Sequence, residues 1–209
     1  MTGLVTYEER LNQDRRWALM EGSMHFEKES AVFRTMREIA RRLSELGVPY
    51  AVVGGMAMFM HGYRRFTEDV DLLVTPESLK LLHEKLEGLG YLPPFTGSKN
   101  LRDTDTGVRI EFLITGSFPG DGKPKPVSFP DPANVAVELD GIQCLNLETL
   151  IQLKLVSGTV PGRRKDLADV QELIRMMSLP EDFADRLDAS VRDSFRLLWA
   201  EVQALPPDE

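Results

Sequence analysis

Apolar residues recur along residues 29–46 at Val32, Met36, Ile39, Leu43 and Leu46, in steps of four, three, four and three. That is the spacing of one helix face, and Gly47 and Pro49 close the segment, so an amphipathic helix is predicted there. The run YAVVGG, residues 50–55, fits a short buried strand ending at Gly54, and GMAMFMHG continues as a second, mostly buried helix that stops near Gly62. In EDVDLLV, residues 68–74, the alternation sets Val70, Leu72 and Val74 on one face of a strand and Asp69, Asp71 and Leu73 on the other. Thr75, Pro76 and Glu77 then supply an N-cap, a first-turn proline and a first-turn acid for a helix whose inner face is Leu79, Leu82, Leu86 and Leu89.

After Gly90 the pattern predicts a short strand over residues 91–95, a polar turn at DTDTG and a second strand, VRIEFLI. Val108, Ile110, Phe112 and Ile114 share one face of it; Arg109, Glu111 and Leu113 share the other. Pro119, Pro124, Pro126, Pro130 and Pro132 make the next stretch a loop, and Asp140-Gly141 between two alternating runs marks a hairpin. Asn146 can cap a helix over residues 147–156. A further helix is expected over residues 163–177, with Leu167, Val170, Ile174 and Met177 inside, and one or two more over residues 180–205, ended by Pro206-Pro207. Strands with helices before, between and after them make an α/β (α+β) domain. All 209 residues are read as one domain, with a core of about residues 30–145 and a helical C-terminal part of about residues 146–205.

Composition narrows the function classes. With 42% hydrophobic residues the chain can bury a core without staples, and its single cysteine, Cys144, excludes an intramolecular disulfide framework and a Cys-cluster zinc site. The first ten residues are too polar for a signal peptide, and the longest apolar runs fall far short of the roughly 20 residues that span a bilayer. A soluble, cytoplasmic protein with no membrane partner is therefore expected. The net charge of -8 argues against coating nucleic acid, although Arg64-Arg65 and Arg163-Arg164-Lys165 are local basic clusters.

Asp69 and Asp71 raise the chemical question. At i and i+2 on a strand they face the same side with Cα atoms about 6.6 Å apart. Carboxylate oxygens at about 4 Å repel by on the order of 4 kcal/mol at an intermediate dielectric, so the pair needs solvent, a proton or a cation. Oxygen ligands suit Mg²⁺, which can also hold substrate phosphates. Glu111, in an otherwise apolar strand, is expected to bring a third carboxylate if the two strands are neighbours, giving the arrangement used for in-line displacement at phosphorus. Gly54-Gly55 at the strand-to-helix turn would let backbone amides approach an anion, placing triphosphate binding beside metal binding.

These residues together resemble the nucleotidyltransferase superfamily, whose signature is a Gly-Gly turn, a short helix, D-x-D on the next strand and a third acid on a later strand. GGMAMFMHGYRRFTEDVDLLV and LIQLKLVSGTVPGRRKDLADVQEL are similar to the abortive-infection toxin nucleotidyltransferases of the AbiEii type, over about residues 30–175. The resemblance implies a polymerase-β-like mixed sheet flanked by helices, with a nucleoside triphosphate across the cleft. It implies that Asp69 and Asp71 hold Mg²⁺ and that Glu111 contributes to the metal site and positions or deprotonates an acceptor hydroxyl. Lys154 would meet a phosphate and Asp166 would orient that lysine or an arginine, with Lys165 and Asp169 completing the motif. Gly54, Gly55, Arg65 (or Arg64) and Thr67 would surround the nucleotide.

The expected activity is transfer of a nucleoside monophosphate to a hydroxyl of tRNA, a protein or a small molecule, in a possible toxin–antitoxin setting. A tRNA end needs only a local basic rim, for which Arg64, Arg65, Arg163 and Arg164 are candidates. The alternative is a non-catalytic binding domain of the same fold. Phe195, Leu198 and Trp199 are either an antitoxin-docking face or core cover. His61 is expected to pack against the core or to fix the turn, Met56, Met58 and Met60 to fill the core, and Cys144 to be an inert buried thiol. DTDTG lacks the acids and glycine spacing of a calcium loop, and GDGKP lacks the Walker pattern.

Overall fold

A seven-stranded mixed sheet organises the computed structural model, which describes residues 5–204. In chain order the elements are α1 (Tyr7–Gln13), α2 (Arg15–Phe26), α3 (Ala31–Glu45), β1 (Ala51–Val52), α4 (Gly54–Met60), β2 (Asp69–Val74) and α5 (Pro76–Leu86). There follow β3 (Tyr91–Leu92), β4 (Leu101–Asp103), β5 (Arg109–Ile114), α6 (Pro132–Val135), β6 (Ala136–Leu139) and β7 (Ile142–Leu145). The C-terminal part is α7 (Leu147–Gly158), α8 (Lys165–Met176), two 3₁₀ turns at Glu181–Arg186 and Ala189–Val191, and α9 (Arg192–Gln203). The sheet order is β3-β4-β5-β2-β1-β7-β6, with β2 parallel to β5 and β1 parallel to β7. The remaining pairs are antiparallel.

The α3 periodicity is realised in burial, since Val32, Met36, Ile39 and Leu43 are all fully enclosed. Val70, Leu72 and Val74 of β2 and Val108, Ile110 and Phe112 are buried on one face, which joins the two central parallel strands into the core. Caps form where side-chain oxygens were available: Ser30 accepts from Phe33 N, Thr75 from Ser78 N and Asn146 from Thr149 N. Among the described residues no helix is long and apolar enough to cross a membrane.

Several expectations are corrected. The strand expected over residues 91–95 is only Tyr91–Leu92, because Pro93 and Pro94 deny the ladder two donors, and its partner Leu101–Asp103 was not anticipated. Leu89 lies beyond α5 and is 69% exposed, so the inner face ends at Leu86. On α8, which starts at Lys165 and not at 163, Leu173 fills the place assigned to Met177, which caps the helix. Phe195 and Leu198 are buried and the Trp199 indole donates to Leu179 O at 2.9 Å, so these three cover the core. The Pro206-Pro207 stop lies outside the described residues.

Helices α1 and α2 were not anticipated either, and their anchoring is polar. The buried Glu21 carboxylate accepts from Tyr7 Oη at 3.1 Å and from Ala31 N at 2.9 Å. His25, fully buried among Phe26, Phe33, Phe59 and Phe66, reaches Ser30 Oγ and Arg65 O through its two ring nitrogens. Burial holds His25 below the ordinary histidine range, so it is neutral there.

Candidate active site

Strand register assembles the acids. In the parallel β2/β5 pair Asp69 sits opposite Arg109 and Asp71 opposite Glu111, so all four side chains leave the same face of the sheet. The Asp71 carboxylate lies against Gly54: a Cβ built there would fall 2.0 Å from Asp71 Oδ2, and Gly54 has φ of +60°. Both facts require glycine at that position. Asp71 forms no ion pair among the described residues, and burial first, then the neighbouring charges of Asp69 and Glu111, push its pKa well above the ordinary carboxylate range against the pull of Lys154 and Arg109. The cluster is short of positive charge at Asp71, which is half-buried.

The cation that is present is Arg109. Its Nη2 donates to Asp69 Oδ2 at 3.0 Å and contacts Glu111 Oε1 at 3.0 Å. The three expected carboxylates therefore share a face without closing into a cage, and among the described residues no three His, Cys, Asp or Glu side chains are gathered as a metal-holding group. Thr67 Oγ1 fixes the other oxygen of Asp69 at 3.0 Å. The donor set, three hard carboxylates of which one lacks a counter-charge, fits a divalent cation such as Mg²⁺ by its chemistry.

Asp71 and Glu111 open onto a cavity of about 500 Å³ between the sheet, the loop after β5, and α7. Its opposite side carries Lys154, Ser157, Arg163 and Asp166, Lys99 joins from the loop before β4, and Leu113, Ile114, Phe118, Phe129, Leu150 and Leu153 form an apolar wall. Lys154 is buried and held by two acids, Asp166 Oδ1 at 3.1 Å and Asp169 Oδ2 at 2.6 Å. Asp166 Oδ2 also accepts from Ser157 Oγ at 2.7 Å and Arg163 Nε at 3.2 Å, so this acid orients the lysine and an arginine at once. Burial favours the neutral Asp166 carboxyl, but the Lys154 charge and the hydrogen bonds outweigh it and hold the pKa below the ordinary range.

Not every expected residue lies on the cavity. Gly54 and Lys154 line it, whereas Gly55, Thr67 and Arg65 form a support behind it: a Cβ on Gly55 would meet Thr67 Oγ1 at 2.9 Å and Arg65 Nη2 at 3.4 Å. Arg65 turns inward to Asp169 at 3.5 Å, which removes it from the exposed basic rim, while Arg64 and Lys165 face solvent. Sequence reasoning missed Arg109 and Lys99. Arg109 was legible in principle, since it precedes Glu111 by two residues and must share its face; Lys99, whose Nζ donates to Phe112 O at 2.7 Å, carries no pattern signal. His61 fixes the turn through Leu145 O at 2.7 Å. The Cys144 thiol is fully enclosed and pushed up to about 12 by burial.

The family model described as "Nucleotidyl transferase AbiEii toxin, Type IV TA system" matches residues 37–208. The chain belongs to this family. Among solved structures, this AbiEii-family chain is similar to ANT(2")-Ia, crystallised with adenylyl-2"-tobramycin, at 15% identity and a TM-score of 0.50 over 82% of this chain and 98% of that one. It is also similar to an antigenic nucleotidyltransferase-like protein from Paracoccidioides brasiliensis, at 18% identity and a TM-score of 0.45 over 69% and 74% of the two chains. At such identities the likeness to ANT(2")-Ia shows the nucleotidyltransferase fold and nothing about substrates. No curated protein is significantly similar in sequence.

Proposed function

We propose that this nucleotidyltransferase is Mg²⁺-dependent, transfers a nucleoside monophosphate from a nucleoside triphosphate to a hydroxyl of tRNA, a protein or a small molecule, and serves as the toxin of a toxin–antitoxin pair. The observation that carries the reading is one cavity lined by Asp71 and Glu111 from the sheet, by Lys154 and Arg163 from α7 and the loop after it, and by apolar residues of both. Asp69, Asp71 and Glu111 would hold the metal. When bound there, Mg²⁺ supplies neutralisation of phosphate charge and orientation of the leaving pyrophosphate.

The chain's own residues do the rest. The third ammonium hydrogen of Lys154, left over after Asp166 and Asp169, faces a phosphate oxygen as a point charge. Arg163, tied to Asp166, and Lys99 add positive charge along the same path. The apolar wall of Leu113, Phe118 and Leu153 receives base and sugar. Glu111 takes the proton of the acceptor hydroxyl as its oxygen bonds to the α-phosphorus, and the bond from that phosphorus to the pyrophosphate oxygen breaks. The toxin role rests on the family, whose description names a Type IV system. Exposed Arg64, Arg163 and Arg164 give a tRNA end a local basic rim despite the acidic chain.

The test is transfer of label from α-³²P nucleoside triphosphates to total tRNA and to protein, by wild type and by Asp71→Asn. Label retained on an acceptor by wild type and lost in the variant supports the reading. Label incorporated equally by both proteins would sink it.

A further inference from the structure

Arg109 stands where a cation is needed, but it is held incompletely. A single nitrogen, Nη2, contacts both Asp69 and Glu111, while the Arg109 Nε is buried without a hydrogen-bond partner among the described residues. Buried donors of that kind are rare and call for an explanation. The acceptor in reach is Glu8 Oε1, 3.8 Å from Arg109 Nε and short of hydrogen-bonding distance.

Glu8 is placed there firmly. It belongs to α1, which lies ahead of the residues the family model matches. The helix is fixed by a capping box between Thr6 and Glu9, by Tyr7 N donating to Gly107 O at 3.1 Å, and by Tyr7 Oη on buried Glu21. Gly107 permits the approach, since a Cβ there would stand 2.9 Å from Val5 O. Arg102 holds both Glu8 oxygens, Oε2 through Nη1 at 2.8 Å and Oε1 through Nη2 at a long 3.5 Å, which fixes Oε1, with acceptor capacity left, beside Arg109.

We propose that Arg109 is the positioning residue of the metal site: in the resting protein it bridges Asp69 and Glu111, and it yields both by withdrawing onto Glu8 of the N-terminal helix when a divalent cation enters. One nitrogen contacts both carboxylates, so one side-chain movement frees both, and the same movement gives Nε its missing acceptor. A guanidinium stays charged at every working pH, so it competes with a metal for the two carboxylate oxygens it holds. The N-terminal helix is thereby part of the site, although Glu8 lies 61 residues before Asp69 in the chain and outside the family match: it decides how readily the acids are released. The inference rests on the metal reading above.

The experiment is Mn²⁺ titration followed by electron paramagnetic resonance, without nucleotide and then with ATP, on wild type, Arg109→Gln, Glu8→Gln and the double variant, with thermal melts to check folding. Without nucleotide, Arg109→Gln is expected to bind Mn²⁺ about tenfold more tightly than wild type and Glu8→Gln about threefold more weakly, and Glu8→Gln is expected to add nothing in the Arg109→Gln background. Arg109→Lys, which keeps the charge and the fold but cannot bridge as the guanidinium does, should fall between wild type and Arg109→Gln. If Glu8→Gln weakens binding equally in both backgrounds, Glu8 acts only as a distant charge and the proposal fails. Equal affinity in all the proteins overturns it while leaving the metal reading intact. Mn²⁺ binding by none of them, with or without ATP, overturns both.

Discussion

Replacing Lys154 by methionine keeps most of the side-chain stem and removes the charge that two buried acids share. The three groups are 7–8% exposed at their side chains, so solvent cannot take over. The two acids would not suffer equally. Asp166 retains Ser157 Oγ at 2.7 Å and Arg163 Nε at 3.2 Å, whereas among the described residues Asp169 retains Arg65 alone, at 3.5 Å. Breaking a buried pair by removing one partner costs about 3–5 kcal/mol, and the contacts left to Asp166 put the expected loss near the lower end, about 3 kcal/mol. That is a large share of the roughly 5–15 kcal/mol of a domain's stability. Adding Asp169→Asn should return at least about 1 kcal/mol, because the unpaired charge goes with it.

Proton linkage gives the same prediction a second readout. Asp166 has a lowered pKa in the folded protein, so the stability it contributes is complete above the ordinary carboxylate range and is lost as pH falls through the folded value. The gap between wild type and Lys154→Met should therefore be full at pH 7 and close as the solution is acidified below the carboxylate range. Urea unfolding at several pH values, with unchanged dependence on denaturant, measures this. A loss under about 1 kcal/mol at pH 7, or a gap that does not change with pH, would refute the argument that the lysine neutralises buried acids.

Further outcomes follow from the same geometry. Gly54→Ala forces a left-handed backbone on alanine, costing about 1–2 kcal/mol, and drives a methyl into the Asp71 carboxylate, so nucleotide binding should fall together with stability. Gly55→Ala has an ordinary φ but sets its methyl 2.9 Å from Thr67 Oγ1 and 3.0 Å from Thr67 Cβ, so calorimetry should find a loss of binding smaller than that of Gly54→Ala. Cys144 should resist alkylation at pH 8 in the native protein and react fully in urea; native labelling at the unfolded rate would contradict its enclosure. Tyr7→Phe leaves Glu21 without its phenol partner, and a chemical denaturation curve should register about 1 kcal/mol lost.

How far the sequence reveals this site depends on which interactions carry a period. Asp69 and Asp71 are legible because alternation fixes which side chains share a strand face, and Glu111 because it interrupts an apolar strand. That β2 and β5 are neighbours, in the register that sets Asp71 against Glu111, depends on sheet topology, which local pattern does not encode. Arg109 obeyed the alternation but reads as an ordinary outward cation until its two acidic neighbours are known. Helix α2 is hidden for a different reason: Leu19 and Met20 are exposed while Glu21 and His25 are buried, so the helix shows the polar face inward. The K-D-x-x-D segment predicted the company of Lys154, yet only the packing of α7 on α8 shows that Asp166 and Asp169 grip the same ammonium.

The most direct test of the central claim is calorimetric titration of each of the four nucleoside triphosphates, with and without Mg²⁺, into wild type and into Asp69→Ala/Asp71→Ala. The account predicts binding of at least one triphosphate that requires Mg²⁺ and disappears in the double variant while the fold persists. Binding that ignores Mg²⁺, or that survives loss of both aspartates, would contradict it.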